Sequence, residues 1–230
     1  MDAKKCVVII EDEYVMRQSL VETLTKYAFE VHAYNRAEQI LNSDIINCTD
    51  AIIMDIRLPG ISGWEATSLI KQRYSLMPVI MLTAYSDVNY RVQGFRTGAD
   101  DYIIKPFFME ELIARLKTVL KQYELIPGGK SYYEFVDLSI DTRSRIVMRG
   151  DQSIKLSLTE FNILALLAQE RGNPVSKSEI MRKIWKGQYA VGDNTIEVYI
   201  NLLRNKIDRG SINKLIHTKP GFGYYLSLEN

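Results

Sequence analysis

The chain has 230 residues, 47% hydrophobic and 25% charged, with 29 basic against 28 acidic side chains and a formal charge of +1. This composition suits a folded protein of one to two domains and excludes a disordered, collagen-like or disulfide-scaffold chain. Two distant cysteines, Cys6 and Cys48, and two histidines, His32 and His217, provide no zinc or disulfide spacing and fit a reducing cytosol.

In chain order, Cys6 to Ile10 is a short β-branched apolar run, the pattern of a strand buried on both faces of a parallel sheet. It is too short for a signal-peptide core, and no apolar stretch reaches the roughly 18 residues of a membrane span. Met16, Leu20 and Leu24, with Val21 and Tyr27, recur at helical spacing. Phe29–Tyr34, Ala51–Met54, Val79–Leu82 and Tyr102–Ile104 read as four further strands. Ser62–Tyr74, Asp87–Arg96 and Met109–Gln122 read as helices. Strand and helix alternate five times, which predicts an α/β fold, a doubly wound parallel sheet of the flavodoxin-like kind.

After Tyr123 the pattern changes. Ile126 to Lys130 is a turn-rich connector, and Tyr132 to Leu156 alternates as a small antiparallel sheet. Three helices follow. Ser157 with Glu160 and Ser176 with Glu179 are capping-box pairs that open the first two. The third runs from Asp193 or Asn194 to about Asp208, with Ile196, Ile200, Leu203 and Ile207 on one face. Leu215–Thr218 and Tyr224–Leu226 form a closing hairpin. Three helices and a hairpin make an α+β winged helix-turn-helix. The expected division is 1–123, a linker 124–130, and 131–230. The charge divides with it: residues 1–125 hold 14 basic and 17 acidic side chains, and residues 126–230 hold 15 and 11.

Ligand sites in doubly wound sheets lie at the carboxyl ends of the strands. Glu11 and Asp12 follow the first predicted strand, Asp55 the third, Thr83 the fourth and Lys105 the fifth. Singly, each is ordinary surface or helix-cap chemistry. Together they place three carboxylates, a hydroxyl and an ammonium at one sheet edge. Crowded carboxylates favour a hard cation such as Mg2+. With Lys105 balancing charge, Asp55 can act as a nucleophile toward phosphorus without a separate base.

On these residues, and on the runs Asp55–Gly60 and Gly98–Phe107, residues 4–122 resemble the receiver domain of bacterial two-component response regulators. The resemblance implies that Asp55 is the phosphoacceptor. It implies that Asp12, Asp55 and the backbone carbonyl of Arg57 hold Mg2+, with Glu11 acting through water. It gives Thr83 and Lys105 the phosphoryl oxygens and Tyr102 the role of aromatic switch, and implies a cis Lys105–Pro106 bond. In the OmpR/PhoB subfamily, which this chain resembles, charges equivalent to Arg91, Asp100, Asp101, Glu111 and Arg115 form intersubunit salt bridges. Arg96 departs from the Glu usual there.

Residues 131–227 resemble the winged-helix effector of that subfamily in Leu158–Phe161, Asn194–Ile200, Leu203–Ile207 and Gly221–Tyr224. That resemblance implies that the third helix enters a DNA major groove. Arg204, Lys206 and Lys219 are the expected phosphate contacts, and Asn194, Thr195, Tyr199 and Leu202 the expected base-facing set. Pro220 replaces the usual wing Arg, and Asn201 and Leu202 stand where some relatives carry Arg. The loop from Lys186 to Asp193 is a candidate contact for RNA polymerase. The expected protein is cytoplasmic, a homodimer when phosphorylated, not an enzyme, and served by a sensor histidine kinase. The alternative is a DNA-binding regulator of the same fold that acts without phosphorylation. An aspartyl-phosphate phosphatase is disfavoured because Asp55 is followed by Ile56-Arg57 rather than by the Asp-x-Asp pattern.

Overall fold

The computed structural model describes residues 4–84, 97–124, 132–185 and 195–227. The predicted helix 87–96, the connector 126–130, the loop 186–193, and with them Arg91, Arg96 and Asn194 lie outside the described residues. The chain divides into two compact units, Met1–Leu120 and Lys121–Asn230.

In the first unit, five parallel strands stand in the order β2-β1-β3-β4-β5. These are β1 (Cys6–Ile10), β2 (Glu30–Tyr34), β3 (Ala51–Asp55), β4 (Val79–Thr83) and β5 (Asp101–Ile104). β1, β3 and β4 are buried at every residue, as continuous apolar runs require, whereas the edge strand β2 is half exposed. Burying each Ile or Val of these strands contributes about 1.5–3 kcal/mol.

The helices are α1 (Tyr14–Lys26), the single turn α2 (Glu38–Leu41), α3 (Gly63–Arg73) and α4 (Met109–Glu124). Leu20 and Leu24 are the buried residues of α1, as their spacing predicts, while Tyr27 is exposed. α2 and a following 3-10 turn, Asp44–Cys48, have no periodic signal because each is too short to repeat. The side chain of Ser62 caps α3 by accepting from Glu65 N at 3.2 Å. Gly63 lets α3 touch the sheet: a β-carbon there would sit 2.0 Å from the Asp55 carbonyl oxygen.

The second unit opens with the antiparallel sheet β6 (Tyr132–Phe135), β7 (Leu138–Asp141), β8 (Ile146–Arg149) and β9 (Gln152–Ser153). Helices α5 (Leu158–Gln169), α6 (Lys177–Trp185) and α7 (Thr195–Ile207) follow. A three-stranded sheet combines the short strand β10 (Val175–Ser176) with the hairpin β11 (Ile216–Lys219) and β12 (Gly223–Leu226). Ser157 and Glu160 make the predicted reciprocal capping box; at the second pair Ser176 Oγ accepts from Glu179 N at 3.1 Å, while the Glu179 carboxylate pairs with Lys183.

Two ties join α7 to the hairpin. The buried Asp208 carboxylate accepts from Leu215 N at 3.0 Å and Ile216 N at 3.2 Å. Arg204 donates to the Ile216 carbonyl at 3.0 Å and to Thr218 Oγ1 at 2.7 Å. Among the described residues, no helix is long and apolar enough to cross a membrane.

Candidate functional site

The order β2-β1-β3 reverses direction at β1, so the crevice at the carboxyl ends of β1 and β3 is the place for a ligand. Glu11, Asp12 and Asp55 meet there, with one carboxylate oxygen from each lying within 4.8 Å of the others. Glu11 and Asp55 are buried and Asp12 is exposed, which gives the cluster a dry floor and an open mouth. Lys105 Nζ lies 2.7 Å from both Glu11 Oε2 and Asp55 Oδ2. Arg57 N donates to Asp55 Oδ1 at 3.1 Å, which orients the carboxylate. Thr83 is buried at the end of β4, and its carbonyl accepts from Lys105 N at 2.6 Å. The Lys105–Pro106 bond is cis.

Burial pushes Glu11 up to about 7, against the pull of its bond to Lys105. Burial works to lower Lys105, but the bonds from Asp55 and Glu11 outweigh it, so the ammonium stays charged. Adjacent carboxylates offering hard oxygen donors, one of them open to solvent, fit a divalent cation of the Mg2+ kind. Such an ion supplies Lewis-acid charge neutralisation for phosphoryl oxygens.

One residue of this pocket carries no motif signal. Arg17, on the first turns of α1, donates to the carbonyls of Glu11 at 2.7 Å and Asp12 at 3.0 Å. Residue Glu13, which caps α1, makes no side-chain cap bond, so Arg17 holds the turn that aims both carboxylates. Its only sequence trace is a cation a few residues past an acidic pair.

Tyr102 is buried in β5, with the Thr97 side chain approaching its phenol. Burial holds that phenol well above the ordinary tyrosine range. Asp101, Glu111 and Arg115 pair within the chain: Arg115 Nη1 lies 3.0 Å from Asp101 Oδ2, and its Nε donates to Glu111 Oε1 at 2.9 Å. Asp100 does not join them. Its carboxylate is buried, 2.6 Å from Lys71 Nζ, so the expectation that it belongs to the intersubunit salt-bridge set is corrected. Asp100 lies in the bend just before β5 and pairs with Lys71 of α3, whereas Asp101, the first residue of β5, pairs with Arg115 of α4.

In the second unit the expected DNA-facing set separates. Tyr199 is fully buried, its ring centroid 5.8 Å from that of Trp185, and Thr195 is buried too; neither can face a base. Tyr199 lies at i+3 from Ile196 and so shares the apolar face of α7, a placement the spacing itself contains. Lys206 Nζ lies 2.6 Å from Glu160 Oε2, and Arg204 is bonded to β11, so both are committed within the unit. Leu202 is half-buried and Lys219 is exposed on the hairpin, its ammonium 5.8 Å from the Phe222 ring centroid.

Residues 7–117 match the response regulator receiver domain family, and residues 151–226 match the family described as transcriptional regulatory protein, C terminal. The chain belongs to the OmpR/PhoB-type response regulators, two-component transcription regulators that join a receiver to a winged-helix DNA-binding domain. It is 32% identical to the response regulator MprA of Mycolicibacterium vanbaalenii over 222 residues, 96% of each chain. It is also 32% identical to the MprA of Mycobacterium leprae over 221 residues, 96% of this chain and 97% of that one. Among solved structures, the Thermotoga maritima OmpR/PhoB homologue DrrB is 29% identical, with a TM-score of 0.53 over 98% of this chain and 100% of that one. A mutant of RitR is 23% identical with a TM-score of 0.86 over 98% of this chain and 100% of that one, a likeness of fold alone.

Proposed function

We propose that this protein accepts a phosphoryl group on Asp55 from a sensor histidine kinase, dimerises through its receiver, and binds promoter DNA to control transcription. The receiver is 1–123, the linker 124–130 and the effector 131–230, and the protein works in the cytoplasm. The carrying observation is Lys105 Nζ at 2.7 Å from both Asp55 and Glu11 in a pocket of three carboxylates. An ionised Asp55 oxygen attacks phosphorus; the O–P bond forms as the donor's P–N bond breaks. Lys105 and Thr83 face the phosphoryl oxygens; Asp12, Asp55 and the Arg57 carbonyl would hold Mg2+, with Glu11 acting through water, and the ion would supply charge neutralisation there. The charge added to Asp55 draws on Thr83, and Tyr102 reports the change to the face that carries Asp101, Glu111 and Arg115. That face then pairs two copies, which sets two winged helices on repeated DNA half-sites. RNA polymerase is the expected reader of the bound dimer.

The test is beryllofluoride with Mg2+ on the full chain. Wild type becomes dimeric in analytical ultracentrifugation and gains DNA affinity, whereas Asp55→Asn does neither. Acetyl phosphate adds one phosphoryl group to wild type and none to Asp55→Asn by intact-mass measurement. Equal behaviour of the two proteins refutes the reading.

A further inference from the structure

Lys71 lies near the end of α3 and is 7% exposed, an unusual place for an ammonium. It donates to Asp100 Oδ2 at 2.6 Å and to the Ser75 carbonyl at 3.3 Å. Asp100 is 1% exposed; its Oδ2 also accepts from Val79 N at 3.0 Å, and its own N–H donates to the Val79 carbonyl at 2.9 Å. The pair therefore links three elements: α3, the start of β4 and the segment leading into β5. Gly98 completes the seat. Its φ is +92°, and a β-carbon there would meet Lys71 Cγ at 3.1 Å, so the segment 97–100 folds over the lysine stem.

That segment carries Thr97, whose side chain approaches the Tyr102 phenol, and it enters β5 at Asp101, one residue before Tyr102. We propose that Lys71 and Asp100 form a buried strut that positions Tyr102, so that the aromatic switch is held from the α3 side as well as from the phosphoryl pocket. Lys71 and Asp100 are positioning residues and touch no substrate. The inference rests on the switch role given to Tyr102 above, and it makes Asp100 an internal support rather than a contact between subunits. A buried ion pair is weak evidence for stability but a strong geometric constraint, because breaking one half strands a charge in the interior.

The test uses the full chain with 3-fluorotyrosine incorporated and no phosphoryl analogue. The Tyr102 19F line is assigned by its loss in Tyr102→Phe. Its accessibility is read from relaxation by a soluble nitroxide. The double variant Lys71→Met/Asp100→Asn keeps the stem beneath Gly98 and an acceptor for Val79 N, and leaves no lone buried charge. The Tyr102 line is expected to be protected in wild type and to show at least threefold greater nitroxide relaxation in the variant. Asp100→Asn alone is the second variant, with the same expectation; a cooperative thermal transition confirms that each is folded. Equal protection in wild type and both folded variants overturns the strut, because a purely intersubunit Asp100 would leave the unphosphorylated chain's Tyr102 unmoved. Beryllofluoride is then added to wild type; a wild-type chain that neither dimerises nor shifts its Tyr102 line overturns the phosphorylation reading instead.

Discussion

Lys206 Nζ on α7 lies 2.6 Å from Glu160 Oε2 on α5, and that same carboxylate oxygen accepts from Ser157 N at 2.7 Å. One buried carboxylate thus completes a helix cap and holds the helix expected to enter DNA. Lys206 is exposed along its side chain but its ammonium is tied to Glu160, whereas Lys219 is exposed on the hairpin and is the expected phosphate contact. Each phosphate contact contributes about 0.9 to the slope of log affinity against log salt. Lys219→Ala is expected to reduce that slope by about 0.9. Lys206→Ala is expected to leave the slope unchanged while lowering stability by about 1–3 kcal/mol through the stranded Glu160. Fluorescence anisotropy on mixed duplex DNA at several salt concentrations separates the two, and a shallower slope for Lys206→Ala contradicts the assignment.

Mg2+ should stabilise the fold by mass action, by about 2.7 kcal/mol at a concentration roughly one hundred times its Kd. Asp12 is exposed while Glu11 and Asp55 are buried, so Asp12→Asn removes a negative charge and one of two carboxylate oxygens with little effect on packing. Thermal denaturation with chelator and with Mg2+ should show the metal-dependent rise in wild type and most of it lost in Asp12→Asn, at matched metal-free midpoints. An undiminished rise in the variant would mean that the ion binds elsewhere.

Tyr199 tests the correction on α7. Truncating a fully buried aromatic costs about 3–5 kcal/mol, so Tyr199→Ala should destabilise the second unit by that order. Leu202→Ala, at a half-buried position, should cost much less. Urea denaturation followed by Trp185 fluorescence, in a Trp64→Phe background, measures both; similar small losses would return Tyr199 to the surface.

The two thiols should differ in reactivity. Burial pushes the Cys6 thiol up to about 11, so at pH 8 little thiolate forms, and the side chain is also shielded in β1. Cys48 is exposed. A disulfide reagent should titrate one thiol in the native chain, with Cys6 reacting at least about a hundredfold more slowly and released on denaturation. Two fast equivalents at pH 8 would contradict the buried β1.

Strand ends are legible in the sequence because parallel strands buried on both faces leave uninterrupted apolar runs, after which the first polar residue falls at the ligand edge. Glu11, Asp12, Asp55, Thr83 and Lys105 are found that way, and the structure gathers the three carboxylates into one cluster with Lys105 bonded to two of them. Motif likeness puts Tyr199 among the base-facing residues, whereas its helical spacing from Ile196 puts it on the apolar face, and the spacing prevails. Lys71 and Asp100 are 29 residues apart and share no pattern, so only the folded chain joins them. Lys206 and Glu160 are 46 apart, and a lysine on a basic helix looks the same in sequence whether it meets phosphate or carboxylate.

The ties from Asp208 and Arg204 to the closing hairpin carry a thermodynamic consequence for recognition. A binder whose helix and wing were independent would have to freeze their mutual orientation on each encounter with a duplex, and that lost entropy would be subtracted from the contact energy. Here the orientation is settled when the chain folds. More of the free energy of each groove and phosphate contact is then retained as affinity, and a small basic surface can suffice once two copies act together.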